Sequence, residues 1–304
     1  MTVDEPRDLA QELRFALAEG DAVDVPDDLR ARVLAAATDA RPGGPAADRP
    51  DRITGLEVLR RTVASVDALL GSFAADDWAR PSARYRSVQN LVGHLIGVEE
   101  AFLAVLAGGD DPVLESEHAA MTEEAQDRQA DRSAEATRRE WLECTSRSIA
   151  LLEQADLDAR VGFYGTTFPL DELLVIRAFE MWTHEEDLRR AVRRPLDGPD
   201  AESVARMVEV AVALLPIGAA LAGREVDGTT ARLVLTGAGG GTWDINLDGA
   251  DEPRPAATRV VVDATWFCRI VGNREDATTA GAVVTGESDV ATDLLVGASA
   301  LAFD

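Results

Sequence analysis

A glutamate and a histidine stand four residues apart in the run Phe179-Glu180-Met181-Trp182-Thr183-His184-Glu185-Glu186-Asp187, where apolar and charged residues alternate at helical spacing. Side chains at i and i+4 share one helix face, with Cβ atoms roughly 5–6 Å apart, so both can reach a single ion. A third donor is needed, and the chain has 3 histidines. His94 falls on the same helical stripe as Leu91, Leu95, Val98 and Phe102, which turns it inward. Two histidines and one glutamate converging between helices match the open three-ligand arrangement of catalytic zinc, whose fourth position holds water or a substrate atom.

Each residue also has a plainer reading. His94 by itself reads as a core histidine with a satisfied hydrogen bond. Glu180 and His184 can form a polar cluster without an ion, through Arg177 and Asp187 respectively. An ion is favoured by the cost of burying a glutamate on a face shared with Leu173, Ile176, His184 and Asp187. His118, in the acidic stretch Glu115-Ser116-Glu117-His118, reads as a surface residue and a reserve ligand only. Cys144 has no nearby histidine, and its neighbouring carboxylates disfavour a thiolate, so it is expected to be inert. The glycine run 237–241 precedes a strand pattern and no Lys-Ser/Thr follows it, which makes it a hairpin turn and not a phosphate loop.

The elements that must hold these residues are legible as patterns. Residues 1–50 form an acidic extension and linker with two short amphipathic stretches, Leu9/Leu13/Leu17 and Leu29/Val33/Leu34. Residues 51–197 carry four long helical patterns, at roughly 52–74, 87–107, 123–156 and 169–193, which make a bundle. Ser87 suits the N-cap of the second and Gly108-Gly109 its end. In the fourth, Pro169, Asp171 and Glu172 suit the amino end, and Arg189, Arg190, Arg193 and Arg194 the carboxy end. Residues 198–304 change character: a helix from Asp200 to about Leu221, a hairpin of 231–236 and 242–247, a strand 258–262, a helix 263–271, a strand 281–285 and a last helix from Ser288 to about Leu301. The fold class expected is α+β, a four-helix bundle followed by a small α+β domain.

Charge narrows the function. With 55 acidic residues against 30 basic ones, and a net charge of −25, the chain is a poor match for nucleic acid or anionic membrane. Val204–Gly223 is the most apolar stretch, but Arg206, Glu209 and Pro216 mark it as a buried helix and not a membrane span. Cys144 and Cys268 offer neither a disulfide framework nor a thiolate metal site, and no basic-then-apolar leader opens the sequence, so a cytoplasmic location is expected. The alternative to an enzyme is a non-catalytic metal-binding or regulatory protein whose extension binds a partner protein through Leu29, Val33 and Leu34, a spacing used in helix-in-groove recognition.

Three features together resemble a known family: the Asn90-Leu91-Val92-Gly93-His94 helix, the Glu180-x-Trp182-x-His184-x-x-Asp187-x-Arg189 helix, and the α+β segment that follows. The chain from about residue 52 onward resembles the mycothiol-dependent maleylpyruvate isomerases, which join a DinB-like four-helix bundle to a sterol-carrier-like domain. The resemblance implies a divalent metal, usually zinc, held by His94, Glu180 and His184, with mycothiol as the thiol cofactor. It implies a small-molecule substrate, either an unsaturated diacid that is isomerised from cis to trans or an electrophile that is conjugated to the thiol. It also suggests an arginine of the carboxy-terminal domain as a clamp for the diacid, with Arg274 the first candidate and Arg269 the second, although Arg274 could equally be a solvent arginine at a helix end. Asp187, one turn beyond His184, would orient the imidazole or receive the amine of the cofactor. Asp187 and Arg274 are thus the catalytic candidates, and Asp187 and Arg269 the cofactor-binding ones.

Overall fold

Helix α1 (Gly55–Gly71) starts where Thr54 accepts a hydrogen bond from the Glu57 amide, and α2 (Val88–Leu106) starts where Ser87 accepts one from the Asn90 amide. Each cap satisfies one of the amide donors that a helix start leaves open. The computed structural model describes residues 50–107, 115–163, 166–224, 226–277 and 281–302. Residues 1–49 of the extension, with the proposed partner-binding residues Leu29, Val33 and Leu34, and the expected stop at Gly108-Gly109 lie outside the described residues. Next come α3 (Glu115–Gln129), α4 (Ala134–Leu152), a hairpin of β1 (Arg160–Phe163) and β2 (Thr166–Pro169), α5 (Leu170–Ala191) and α6 (Ala201–Leu221). The chain then runs through β3 (Thr230–Thr236), β4 (Gly241–Asn246), β5 (Thr258–Asp263), α7 (Ala264–Val271), β6 (Val283–Gly286) and α8 (Ser288–Ser299). The fold is α+β, as the sequence patterns indicate.

The long pattern expected at 123–156 is two helices. Gln89 on α2 explains the break: its side-chain amide donates to the carbonyl of Gln129 at 2.7 Å and to that of Arg132 at 2.7 Å, satisfying acceptors at the end of α3. Ser133 then caps α4 by accepting from the Ala136 amide at 3.2 Å. Among the described residues α1, α2, α4 and α5 form the bundle, with α3 laid along α2. Two glycines permit that approach. A Cβ at Gly97 would fall 2.5 Å from the Thr122 Cα, and one at Gly93 would fall 2.9 Å from the Gln126 Cα. The β1–β2 hairpin was not expected; it pairs Arg160 with Pro169 and Phe163 with Thr166, and it delivers the chain into α5 at Pro169.

The carboxy-terminal sheet has the order β4-β3-β5-β6, with β3 parallel to β5 and the other neighbours antiparallel. Alternate residues Ala231, Leu233, Leu235, Val260 and Val262 are buried, while Arg232 and Asp244 lie opposite one another and form a forked ion pair with both contacts at 2.7 Å. The sheet thus has one buried face, covered by α6, α7 and α8, and one open face. The expected hairpin, strands and helices of this half are all present, within a residue or two at most ends. Helix α6 is long and apolar enough to cross a membrane by length and composition, yet 61% of its most apolar window is buried in the protein, which marks it as a core helix. Bundle residues such as Leu91, Phe102, Trp141 and Leu173 belong to the same buried cluster as Leu215, Leu233, Val260 and Phe267, so one apolar core runs through both halves.

Candidate metal site

His94 projects from α2, and Glu180 and His184 from adjacent turns of α5. Their ligand atoms all lie within 4.8 Å of one another, and His94 Nε2 is 3.7 Å from Glu180 Oε1. Two donors placed about 2.1 Å from an ion in tetrahedral geometry are about 3.4 Å apart, so the His94–Glu180 pair is within a few tenths of an ångström of that separation. Two imidazole nitrogens and one carboxylate oxygen are also the donor set that a borderline divalent cation takes in an open site. The sequence-derived triad is brought together, and its residues fit such an ion.

The ion-free contacts considered for these residues exist alongside the triad. Glu180 Oε2 accepts from the Arg177 guanidinium, and Asp187 Oδ2 lies 3.4 Å from His184 Nδ1. With Nδ1 turned to Asp187, the Nε2 edge of His184 is the one left for an ion. Burial pushes the Glu180 carboxyl toward protonation, but the Arg177 charge and the two histidines outweigh it and hold the group far below the usual carboxylate range.

Three consecutive acids on α5 each meet an arginine. Glu185 takes Arg189 at 2.7 Å, Glu186 takes Arg190 at 3.1 Å and Arg269 at 2.8 Å, and Asp187 takes Arg274 at 2.7 Å. All three acids are buried, where an unpaired charge would be costly. Arg269 lies in α7 and Arg274 three residues beyond its end, so these pairs tie the carboxy-terminal half to α5. Arg274 is aimed by a tight helix ending. Its amide bonds to the Arg269 carbonyl and the Asn273 amide to that of Ile270, while Asn273 takes φ of 52°, the left-handed conformation of this terminus. Gly272 sits against Thr183 of α5, where a Cβ would come 3.0 Å from the Thr183 side chain. The Arg274 guanidinium then forks onto Asp187, with Nε 2.9 Å from Oδ1, and is only 13% exposed, so it is not a solvent arginine. Burial raises the Asp187 pKa, but His184 and Arg274 together bring it below its ordinary value.

Near the triad, Tyr85 escaped the sequence reading and His118 was misplaced by it. The ring of Tyr85 lies 5.2 Å from that of His94 and 5.8 Å from that of His184, centroid to centroid, and the two imidazoles are 5.0 Å apart. Tyr85 is placed by a turn in which its amide donates to the Ser82 carbonyl at 2.7 Å and Ala83 takes φ of 46°. Ser82 is fully buried and its hydroxyl donates to the Asp187 carbonyl at 3.3 Å. His118, expected at the surface, is instead half-buried on α3 and within electrostatic reach of Glu180, Arg177 and His94; burial is the main cause that lowers its pKa. A signal for it was present in Gly93 and Gly97, the small residues that let α3 lie on α2. Cys144 is buried, and desolvation followed by the charges of Glu100, Glu140 and Glu99 raises its pKa to about 11, in keeping with an inert thiol.

Residues 59–189, which hold the whole triad, match the family described as Mycothiol maleylpyruvate isomerase N-terminal domain. Among solved structures, the chain is similar to the crystal structure of a mycothiol-dependent maleylpyruvate isomerase, with TM-score 0.54 and 14% identity over 77% of this chain and 92% of that one. A histidine-to-alanine mutant of that enzyme gives TM-score 0.53 at the same identity and coverage. At that identity the likeness is one of fold. No curated protein matches the sequence.

Proposed function

We infer, for a chain whose residues 59–189 match the mycothiol maleylpyruvate isomerase N-terminal domain family, that it is a metal-dependent enzyme which uses the thiol of mycothiol on a small electrophilic substrate. The observation that carries this reading is the convergence of His94, Glu180 and His184 within 4.8 Å, on two helices whose remaining polar groups hold the donors in place. A divalent ion such as zinc, bound there, supplies a thiolate at neutral pH, where a free thiol is mostly protonated.

The chain's own residues do the rest. Asp187 holds the His184 ring through Nδ1, and Arg274 in turn holds Asp187, so one imidazole keeps its tautomer and direction. Arg274 is also a cation of the carboxy-terminal half that reaches Asp187, beside His184, and it is the candidate clamp for an anionic substrate. Such a local cation is required, because a net charge of −25 repels a dicarboxylate at long range. Arg269, engaged with Glu186, serves the approach of the two halves and is the second candidate for contact with the cofactor. The ring of Tyr85 borders the two histidines of the triad.

Within this reading the reaction is either a cis–trans isomerisation of maleylpyruvate type, in which the thiol adds and leaves again, or a transfer in which it stays. Incubating the zinc-loaded protein with mycothiol and maleylpyruvate, and following the trans product by absorbance, tests the first. A stable conjugate on a model electrophile without isomerisation would assign the second. Neither product, from protein that carries the ion, would remove the enzyme reading.

A further inference from the structure

The two oxygens of Glu180 have different partners. Oε1 faces His94 Nε2 at 3.7 Å, whereas Oε2 accepts from Nη1 of Arg177. Arg177 is 2% exposed, and its other arm, Nη2, donates to Glu99 Oε1 at 3.0 Å. Glu99 is 1% exposed and its Oε2 accepts from the Ser148 hydroxyl at 2.8 Å. The guanidinium also lies 5.7 Å from the centre of the Phe102 ring. A buried chain of polar groups thus runs from α4 through α2 to α5 and ends on one oxygen of a metal-site carboxylate.

Stability alone does not account for it. A buried ion pair is commonly replaceable by apolar residues at no loss, since the desolvation of both charges offsets their attraction. Helix α2 is otherwise lined with Leu91, Leu95, Ile96 and Phe102, all buried, so an apolar contact at this point is sterically available. What the chain supplies that an apolar contact cannot is direction at Glu180. A carboxylate with both oxygens available can give one or two donor atoms to an ion, and the number decides whether a coordination position stays open.

We propose that Arg177, backed by Glu99 and Ser148, is a positioning residue that withholds Oε2 of Glu180 and so limits that ligand to one oxygen, which keeps the site at three protein donor atoms. This rests on the metal reading above. Arg177 touches neither substrate nor thiol in the arrangement; it acts through Glu180. Freed of Arg177, Glu180 turns both oxygens toward the ion and fills the position that a thiol needs.

The test uses Co²⁺ in place of the native ion, because its visible absorption is intense in four-coordinate sites and weak at higher coordination. The wild-type chain, loaded with Co²⁺, should give the intense spectrum. The double variant Arg177→Gln/Glu99→Gln exchanges the ion pair for an amide pair and strands neither charge. It should bind Co²⁺ with severalfold lower visible absorbance and keep its melting temperature within a few degrees. If the amide pair fails to fold, Arg177→Met/Glu99→Leu replaces it, with the same expected spectrum. An unchanged intense spectrum in the folded double variant overturns the proposal, as does a weak spectrum in the wild type, or failure of both double variants to fold, which would make the chain a folding element. His184→Ala separates the two levels of argument. Full Co²⁺ binding in that variant sinks the metal reading itself, whereas its loss there, with unchanged spectra in the double variant, sinks only the role of Arg177.

Discussion

Replacing Asp187 by asparagine removes one charge from the point where the carboxy-terminal half meets α5. Asp187 is 3% exposed and accepts the Arg274 fork at 2.9 and 2.7 Å, while its Oδ2 lies 3.4 Å from His184 Nδ1. Stranding one member of a buried pair costs about 3–5 kcal/mol. Here the cost is smaller, because asparagine keeps one acceptor oxygen and Arg274 is 13% exposed and can recruit water. About 2 kcal/mol remains. For a folded unit of this size that lowers the melting temperature of the metal-free protein by about 4–8 °C, read by calorimetry. The same change loosens the His184 ring, so affinity for zinc in a competition titration should drop about 10–100-fold. Arg274→Leu is the companion: it should cost similar stability but leave affinity nearer wild type, because the Asp187–His184 contact survives it. Asp187→Asn protein that melts within a degree of wild type and binds zinc within a factor of two would refute the reasoning.

Other outcomes follow from the same geometry. Gly97→Ala would place a Cβ 2.5 Å from the Thr122 Cα, a backbone atom that cannot swing aside; overpacking of this kind costs about 1–3 kcal/mol and should appear as a lower urea midpoint. Cys144, with its pKa raised to about 11, and Cys268, raised further by complete burial, should not react with a thiol reagent at pH 8 until denaturant is added, when both should titrate. Rapid modification of either in the native protein would contradict their placement. Asp248 has its pKa lowered to about 2, first by Arg254 and then by the Ala250 and Gly228 amides. Its folded-state pKa lies below the unfolded value, so its contribution is present above about pH 4 and is lost as pH falls toward 2. Asp248→Asn should therefore lower the melting temperature at neutral pH and flatten its decline between pH 4 and 2.

The triad was legible because its signals are local. Helical phase put His94 on the Leu91/Leu95 stripe, and four-residue spacing put Glu180 and His184 on one face, independently of how the helices meet. Capping residues at 200 and 263 likewise act within one turn, which is why most element boundaries of the carboxy-terminal half could be read from the sequence. The rest depends on encounters between distant segments. The split at 130–133 is stabilised by Gln89 from another helix, and no glycine or proline marks it. Arg274 could be proposed but not aimed, since its direction comes from Asn273 at φ of 52° and the contact of Gly272 with Thr183. Tyr85 reaches the histidines only because Ala83 adopts φ of 46°. The sequence reading also set Arg177–Glu180 against metal binding as alternatives, whereas in the structure Glu180 meets Arg177 with one oxygen and faces His94 with the other, so the Arg177 pair does not by itself exclude an ion.

Metal content of the purified protein, measured by elemental analysis beside the His94→Ala and His184→Ala variants, tests the central claim most directly. Wild-type protein should carry one divalent ion per chain with an exchangeable fourth ligand. Either variant should lose occupancy by about 10-fold or more at limiting metal, because two protein donors do not make a stable open site. Full metal retention in His94→Ala, or no metal in wild-type protein after loading, would contradict it.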